Sequence, residues 1–291
     1  MNSFLAKTFL ASCLVILSAL ASVSAQTAPQ EKSANVFGAK IYYQEAGDAT
    51  KPKVILLHGL GADTASWFLN VAALSAKYHV IVPDQIGFGK SDKPLLKYRV
   101  ATYVDFLDKF MAELKIEKAT LVGNSLGGWV AAWTAIKYPN RVEKIVLVDA
   151  AGLKPETVDL QLIYSLNFST REEIRALSKL VFYNQSFVDN ETFIEQSMRK
   201  RVLAGDGYTI NSLIESIRRD EDFLDGQLAK IQKPTLIIWG KQDGLLKLAD
   251  GERFNKEING SQLVVFDQCG HVPQVEKAAE FNAAVLKFLE K

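Results

Sequence analysis

From residue 36 onward the chain alternates short, β-rich apolar runs with longer segments in which apolar residues recur every three to four positions. The runs over 39–43, 54–57, 79–82, 120–122, 145–148, 235–239 and 262–266 predict strands. Several, such as Val54-Ile55-Leu56-Leu57 and Ile145-Val146-Leu147-Val148, are apolar at every position. Strands covered on both faces read this way, whereas a half-exposed strand alternates. Helical spacing predicts helices over 100–114, 126–137 and 278–289. Strand and helix in turn, at this spacing, predict an α/β domain with a mostly parallel sheet.

The rhythm breaks over about 153–228. Thr170 followed three residues later by Glu173 is a capping box, and 189–203 and 208–223 have helical spacing. A helical insertion between two sheet strands is a natural lid over an active site. No internal repeat, low-complexity tract or long linker interrupts the chain, so 26–291 reads as one domain carrying that insertion.

Residues 1–25 have another character. Lys7 is the only charge before Glu31, an apolar stretch of Leu, Ala, Ile, Val and Phe follows, and small residues end at Val23-Ser24-Ala25. A charged start, a short apolar run and such an exit predict a secretory signal peptide, and with it a periplasmic or secreted protein. Two other readings stay open. The uncharged stretch 8–25 approaches the length of a membrane anchor. Leu10-Ala11-Ser12-Cys13 resembles a lipoprotein box that would lipidate Cys13, although the apolar run continues through Leu14-Val15-Ile16-Leu17, where such a box normally closes it. Cleavage after Ala25 would leave Cys269 as the single cysteine, unable to form an internal disulfide. It is expected to be a small buried spacer.

Composition adds mainly exclusions. With 291 residues, 48% hydrophobic and 23% charged, the chain suits one large soluble core. A formal net charge of +1, with no basic stripe or acidic tail, argues against nucleic acid or another polyanion as partner. Oligomeric state is not legible.

The strongest chemical signal is Gly123-Asn124-Ser125-Leu126-Gly127-Gly128, lying between the run 120–122 and a small-residue helix. A serine at a sharp strand-to-helix turn is forced into a strained backbone that lifts its hydroxyl clear of the sheet. Glycines two residues to either side are needed because side chains there would collide across the turn. The helix N-terminus below favours developing negative charge. A serine needs a base, and in the α/β-hydrolase order of Ser, acid, His only His271 follows Ser125. His58 is expected to brace its loop and His79 to be structural. Two acids follow strand ends: Asp243, after Leu236-Ile237-Ile238-Trp239, and Asp149, after Ile145-Val146-Leu147-Val148. Asp243 is taken as the member that orients the imidazole, with Asp149 structural or on the substrate side.

Residues 36–291 resemble the α/β-hydrolase superfamily throughout, including the loop Pro83-Asp84-Gln85-Ile86-Gly87-Phe88-Gly89-Lys90-Ser91-Asp92. Within it, Ile237-Ile238-Trp239-Gly240-Lys241-Gln242-Asp243, the Cys269-Gly270-His271 segment and Asp149-Ala150-Ala151-Gly152-Leu153 resemble membrane-associated monoacylglycerol lipases. That resemblance implies hydrolysis of glycerol esters without a cofactor, an ester or lipid substrate with possible membrane-surface contact, and a Ser125–His271–Asp243 triad. In this fold the oxyanion hole takes one backbone N–H from the loop His58-Gly59-Leu60-Gly61 and one from the residue after the nucleophile, hence Leu60 and Leu126.

The Gly123–Gly128 motif also resembles the C–C bond hydrolases that cleave aromatic ring-fission products. Those enzymes usually place an aromatic residue after the histidine, where this chain has Val272, and they are cytoplasmic. Haloalkane dehalogenases and epoxide hydrolases share the fold but use an aspartate nucleophile. A non-catalytic binder retaining the triad is a reading of another class, which turnover of a p-nitrophenyl ester would separate. In the insertion, Phe168, Phe182, Tyr183, Phe187 and Phe193 could line an acyl channel or form the insertion's own core. Leu245 and Leu246 are equally ambiguous.

Overall fold

A computed structural model describes residues 28–155 and 160–291. The signal peptide, anchor and lipidation readings fall on residues 1–25, outside the described residues. Among the described residues no helix is long and apolar enough to cross a membrane.

In chain order the elements are β1 (Gln30–Val36), β2 (Ala39–Ala46), β3 (Lys53–Leu57), α1 (Val71–Ser75), β4 (His79–Pro83), α2 (Val100–Glu113), β5 (Ala119–Asn124), α3 (Leu126–Lys137) and β6 (Val142–Val148). There follow α4 (Leu160–Ser165), α5 (Arg171–Val181), α6 (Glu191–Ala204), α7 (Gly207–Arg218), β7 (Thr235–Gly240), α8 (Leu248–Glu257), β8 (Gln262–Phe266), α9 (Pro273–Glu276) and α10 (Ala278–Leu289). The eight strands form one sheet in the order β1-β2-β4-β3-β5-β6-β7-β8. Pairs from β4 through β8 are parallel, while β1–β2 and β2–β4 are antiparallel. This is the mostly parallel, helix-flanked sheet expected from the pattern.

Alternate residues of each apolar run serve opposite faces, as the strand period of two requires. Ile55, Leu57, Leu121, Ile145, Leu147, Ile237 and Trp239 join one core, with Val104, Leu107 and Met111 of α2 and Val130, Ala131 and Ala135 of α3. Val54, Leu56, Val122, Val146, Val148 and Ile238 join the other, with Trp67, Leu74 and, from α10, Phe281, Val285 and Phe288.

Several boundaries differ from the pattern. β1 was not legible, because QEKSANV is an almost wholly exposed edge strand and has no apolar period. The helix expected over 189–203 begins at Glu191, since the Asn190 side chain accepts from Phe193 N–H and starts it there. The one expected over 208–223 stops at Arg218, and Asp220 and Asp222 follow with φ of 56° and 63°. The capping box forms at the start of α5, with Thr170 N–H donating to Glu173 Oε2 at 3.0 Å and Glu173 N–H to Thr170 Oγ at 3.2 Å. Ile210, Leu213 and Ile214 of α7 are buried and extend the first core into the insertion.

Candidate active site

β5 ends at Asn124 and α3 begins at Leu126, so Ser125 alone makes the turn. Its φ of 53° and ψ of −116° are strained for a residue with a Cβ. Three backbone bonds hold it there. Ser125 N–H donates to Val148 O at 3.0 Å, and Ser125 O accepts from Trp129 N–H and Ala151 N–H, each at 3.1 Å. The flanking glycines are explained by close approach. A Cβ on Gly123 would lie 2.2 Å from Gly127 O, and one on Gly127 would lie 2.2 Å from Leu57 O.

His271 lies in the loop after β8, and its Nδ1 is 2.7 Å from Asp243 Oδ2. The other Asp243 oxygen accepts from Leu245 N–H at 2.7 Å and Leu246 N–H at 3.0 Å, so three donors surround that carboxylate. The Leu245 and Leu246 backbone thereby orients the acid, and the Leu246 side chain packs on the first core. Ser125 and His271 are linked through Asn124, whose Nδ2 donates to His271 O at 3.0 Å and Val148 O at 3.1 Å. The Ser125 hydroxyl itself has no hydrogen-bond partner among the described residues. Contacts between a nucleophile and its base are often long before substrate binds.

The loop after β3 comes close to this turn, since a Cβ on Gly59 would lie 3.3 Å from Ser125 Cβ. Among the described residues neither Leu60 N–H nor Leu126 N–H has a protein acceptor. Leu126 opens α3, where such donors lack helical partners. His58 braces the loop. Gln85 N–H donates to its Nε2 at 3.0 Å, which makes Nδ1 the protonated nitrogen, donating to Gly59 O at 2.8 Å. Complete burial holds its pKa below the usual imidazole value, so the ring stays neutral. Asp84, also buried, accepts from Thr64 N–H and Lys90 N–H, each at 2.7 Å. These two contacts give the loop from Pro83 to Asp92 a structural purpose. His79 is buried beside Glu45 at 3.6 Å, far along the chain from this chemistry.

Two groups escaped the sequence analysis. Glu276 of α9 accepts from Gly270 N–H at 2.7 Å, Asn184 N–H at 2.8 Å and Tyr183 N–H at 3.2 Å. The end of α5 supplies the other half of this seam: Leu180 O accepts from Gly244 N–H at 3.0 Å and Val181 O from His271 N–H at 2.7 Å. The lid root is therefore stitched to both loops that carry His271 and Asp243. No periodicity or motif marks such backbone contacts. Cys269 is buried between these loops, and burial pushes its thiol well above the ordinary value, which suits an inert spacer.

The lid aromatics divide. Phe182 stacks on Phe187 and both meet Phe193 edge to face, with centroids 4.5 to 5.7 Å apart, a small core of the lid's own. Phe168 lies under the Arg201 guanidinium at 4.5 Å, and Tyr183 is exposed.

Asp149 stands one residue beyond β6 with a φ of 40°. One of its oxygens accepts from Gly240 N–H at 2.9 Å, while the other, Oδ2, is buried without a partner. Burial first, and the nearby Asp243 second, push its pKa well above the carboxylate range. The native state therefore keeps a proton that the unfolded chain releases above about pH 4. Native stability should fall as pH rises through that window, because the unfolded state binds fewer protons. Asp149→Asn keeps an acceptor for Gly240 and removes the titration. Its unfolding free energy relative to wild type, measured in urea, should improve by at least about 1 kcal/mol between roughly pH 5 and pH 8. A constant difference would mean that Asp149 is already ionised when folded.

Asp149, Asp243 and His271 each offer a donor atom within 4.8 Å of the others, the spacing of a metal site. A cation there would have to break the 2.7 Å bond between His271 and Asp243.

Comparison with known proteins agrees with this architecture. A family model for the alpha/beta hydrolase fold matches residues 52–278. The chain is 32% identical over 265 residues to the 2-hydroxy-6-oxo-6-phenylhexa-2,4-dienoate hydrolase of Comamonas testosteroni, covering 86% of this chain and 91% of that one. A meta-cleavage product hydrolase from Pseudomonas fluorescens superimposes with a TM-score of 0.82 at 32% identity, over 89% of this chain and 97% of its own. A membrane phospholipase A, described as a bacterial virulence factor, superimposes with a TM-score of 0.81 at 27% identity over 98% of each chain. The serine turn, the mostly parallel sheet and these likenesses together place the chain in the α/β-hydrolase family, as a hydrolase.

Proposed function

We propose that the protein hydrolyses carboxylic esters of apolar acids, monoacylglycerol-like lipids among them, through an acyl-enzyme on Ser125. The observation that carries the reading is a strained serine turn tied through Asn124 to the backbone of His271, whose ring is paired with Asp243 at 2.7 Å. His271 Nε2 takes the Ser125 proton as Oγ attacks the carbonyl carbon, while Asp243 stabilises the imidazolium. The carbonyl oxygen, now negative, accepts from Leu60 N–H and Leu126 N–H, and losing one such donor typically costs about 10²–10³ in rate. His271 then protonates the departing alcohol. Water, deprotonated by the same ring, releases the acid and restores Ser125. All these steps use protein groups and water.

A second reading has its own support. The Comamonas relative's name is that of an enzyme for a dienoate, an anionic substrate, and this chain places a guanidinium near the candidate oxyanion loop. Arg201 is nine-tenths buried, its terminal nitrogens lie 3.8 Å from where a Gly61 Cβ would stand, and its Nε has no partner. Its charge is already met by the buried Asp206, and Val272 follows His271, both of which favour the ester reading. Purified protein assayed on p-nitrophenyl esters, a monoacylglycerol and a ring-fission dienoate separates the two. The ester reading expects kcat/KM on the esters to exceed that on the dienoate by at least about 100-fold, a transition-state difference near 3 kcal/mol. The reverse order would overturn it.

A further inference from the structure

The mechanism above leaves one buried acid without a task. Asp149 and Asp243 follow neighbouring strands, β6 and β7, which are paired in register at Val148 and Ile238. Asp149 N–H continues that pairing with a 2.9 Å bond to Ile238 O. Both carboxyls thus follow the C-terminal ends of adjacent strands, with one ligand-type atom of each and one of His271 within 4.8 Å of one another. Asp149 is completely buried and Oδ2 finds no partner in the static geometry. The titratable groups facing it are Asp243, His271, Glu276 and Cys269, with no lysine or arginine among them. A buried, unpartnered carboxylate oxygen next to a second carboxylate is too costly to stay charged, so Asp149 carries the proton and its O–H has Asp243 as the nearest acceptor.

Resting on the Ser125–His271–Asp243 reading, we propose that Asp149 is a reserve acid, neutral behind Asp243 in the intact enzyme and able to take its place beneath His271 when Asp243 is neutralised. In an Asp243→Asn variant the like charge beside Asp149 is gone. Asp149 then loses its proton to solvent as the imidazolium forms, and its carboxylate accepts the His271 Nδ1–H. The atoms already lie within 4.8 Å of one another, so a shift of at most about 2 Å brings them to hydrogen-bond distance.

The test compares kcat on a p-nitrophenyl ester for wild type, Asp149→Asn, Asp243→Asn and Asp243→Asn/Asp149→Asn across about pH 6 to 9. Loss of a triad acid without a substitute costs about 10⁴. The proposal expects Asp243→Asn to lose only about 10- to 100-fold, and its remaining activity to climb with pH as Asp149 ionises. Adding Asp149→Asn should remove at least about another 100-fold and flatten that climb. A fall of about 10⁴ in Asp243→Asn, with no further loss in the double variant, would overturn it. A merely structural Asp149 would lower Tm in both backgrounds without changing the pH profile. Should the double variant not fold, the Asp243→Asn profile decides alone, a climb with pH supporting the proposal and a profile parallel to wild type sinking it. Ser125→Ala keeps the two failures apart. If that variant stays active, the catalytic reading itself falls; if it is inactive while the two Asp243 variants coincide, only the reserve role is lost.

Discussion

Ser125→Ala should lower kcat/KM on a p-nitrophenyl ester by about 10⁴–10⁶, the largest activity loss expected of any single substitution here. In the proposed mechanism the hydroxyl is the atom that bonds to the substrate carbonyl, and no other group at the turn can replace it. What remains is binding and the Leu60 and Leu126 amides, which by themselves hold only a background rate. The fold should not register the change. The serine oxygen makes no hydrogen bond among the described residues, and the backbone bonds to Val148, Trp129 and Ala151 do not depend on it. Alanine has the same Cβ at the same φ of 53°, so the strain is unaltered. Tm should stay within about 2 °C of wild type, since a surface-like deletion without a lost partner is usually worth under about 0.5 kcal/mol. Thermal unfolding and steady-state kinetics on one preparation check both halves. A variant folded like wild type and retaining more than a tenth of its activity would remove Ser125 from the mechanism.

Gly123→Ala should damage both stability and activity. The added Cβ would lie 2.2 Å from Gly127 O and 2.3 Å from its carbonyl carbon, both backbone atoms of α3 that no rotamer change can withdraw. β5 cannot yield either, because Gly123 is paired with Leu57 on one side and Leu147 on the other. The helix must move, and Gly127 in turn packs against Leu57 O at the root of the Leu60 loop. Overpacking of this kind costs about 3 kcal/mol or more. At roughly 2–4 °C per kcal/mol that is a Tm loss of about 6–12 °C. Displacing Ser125 and the Leu126 amide by about 1 Å should also cost at least about 100-fold in kcat. Gly207→Ala at the start of α7, where the nearest atom is Asn167 Oδ1 at 3.8 Å, is the matching control and should leave Tm almost unchanged. Equal behaviour of the two variants would show that the crowding at residue 123 is not what requires glycine.

The serine turn and the sheet around it were legible because both are local. Apolar runs such as Val54 to Leu57 carry their burial on both faces in their own composition, and Gly123, Ser125 and Gly127 meet across a single turn. The ordering of serine, acid and histidine narrowed the base to His271 because the chain has so few histidines. The choice between Asp149 and Asp243 was of another kind. Both follow apolar strands, and the pattern treats them alike. Only the folded chain shows His271 bonded to Asp243 at 2.7 Å, with Asp149 turned to Gly240 and left with one bare oxygen. Distances between loops that follow different strands depend on register and on loop path, neither of which leaves a period in the sequence. The same holds for Glu276 and the carbonyls of Leu180 and Val181, which join the lid to both site loops through main-chain amides. The phenylalanines of the lid were ambiguous for the same reason, until Phe182, Phe187 and Phe193 were seen to face one another. The chain's own order of residues thus determined the layers, the turn and the types of group available for catalysis. Which of those groups meet was decided by tertiary packing, because backbone amides and carbonyls contribute the contacts and every residue type carries them.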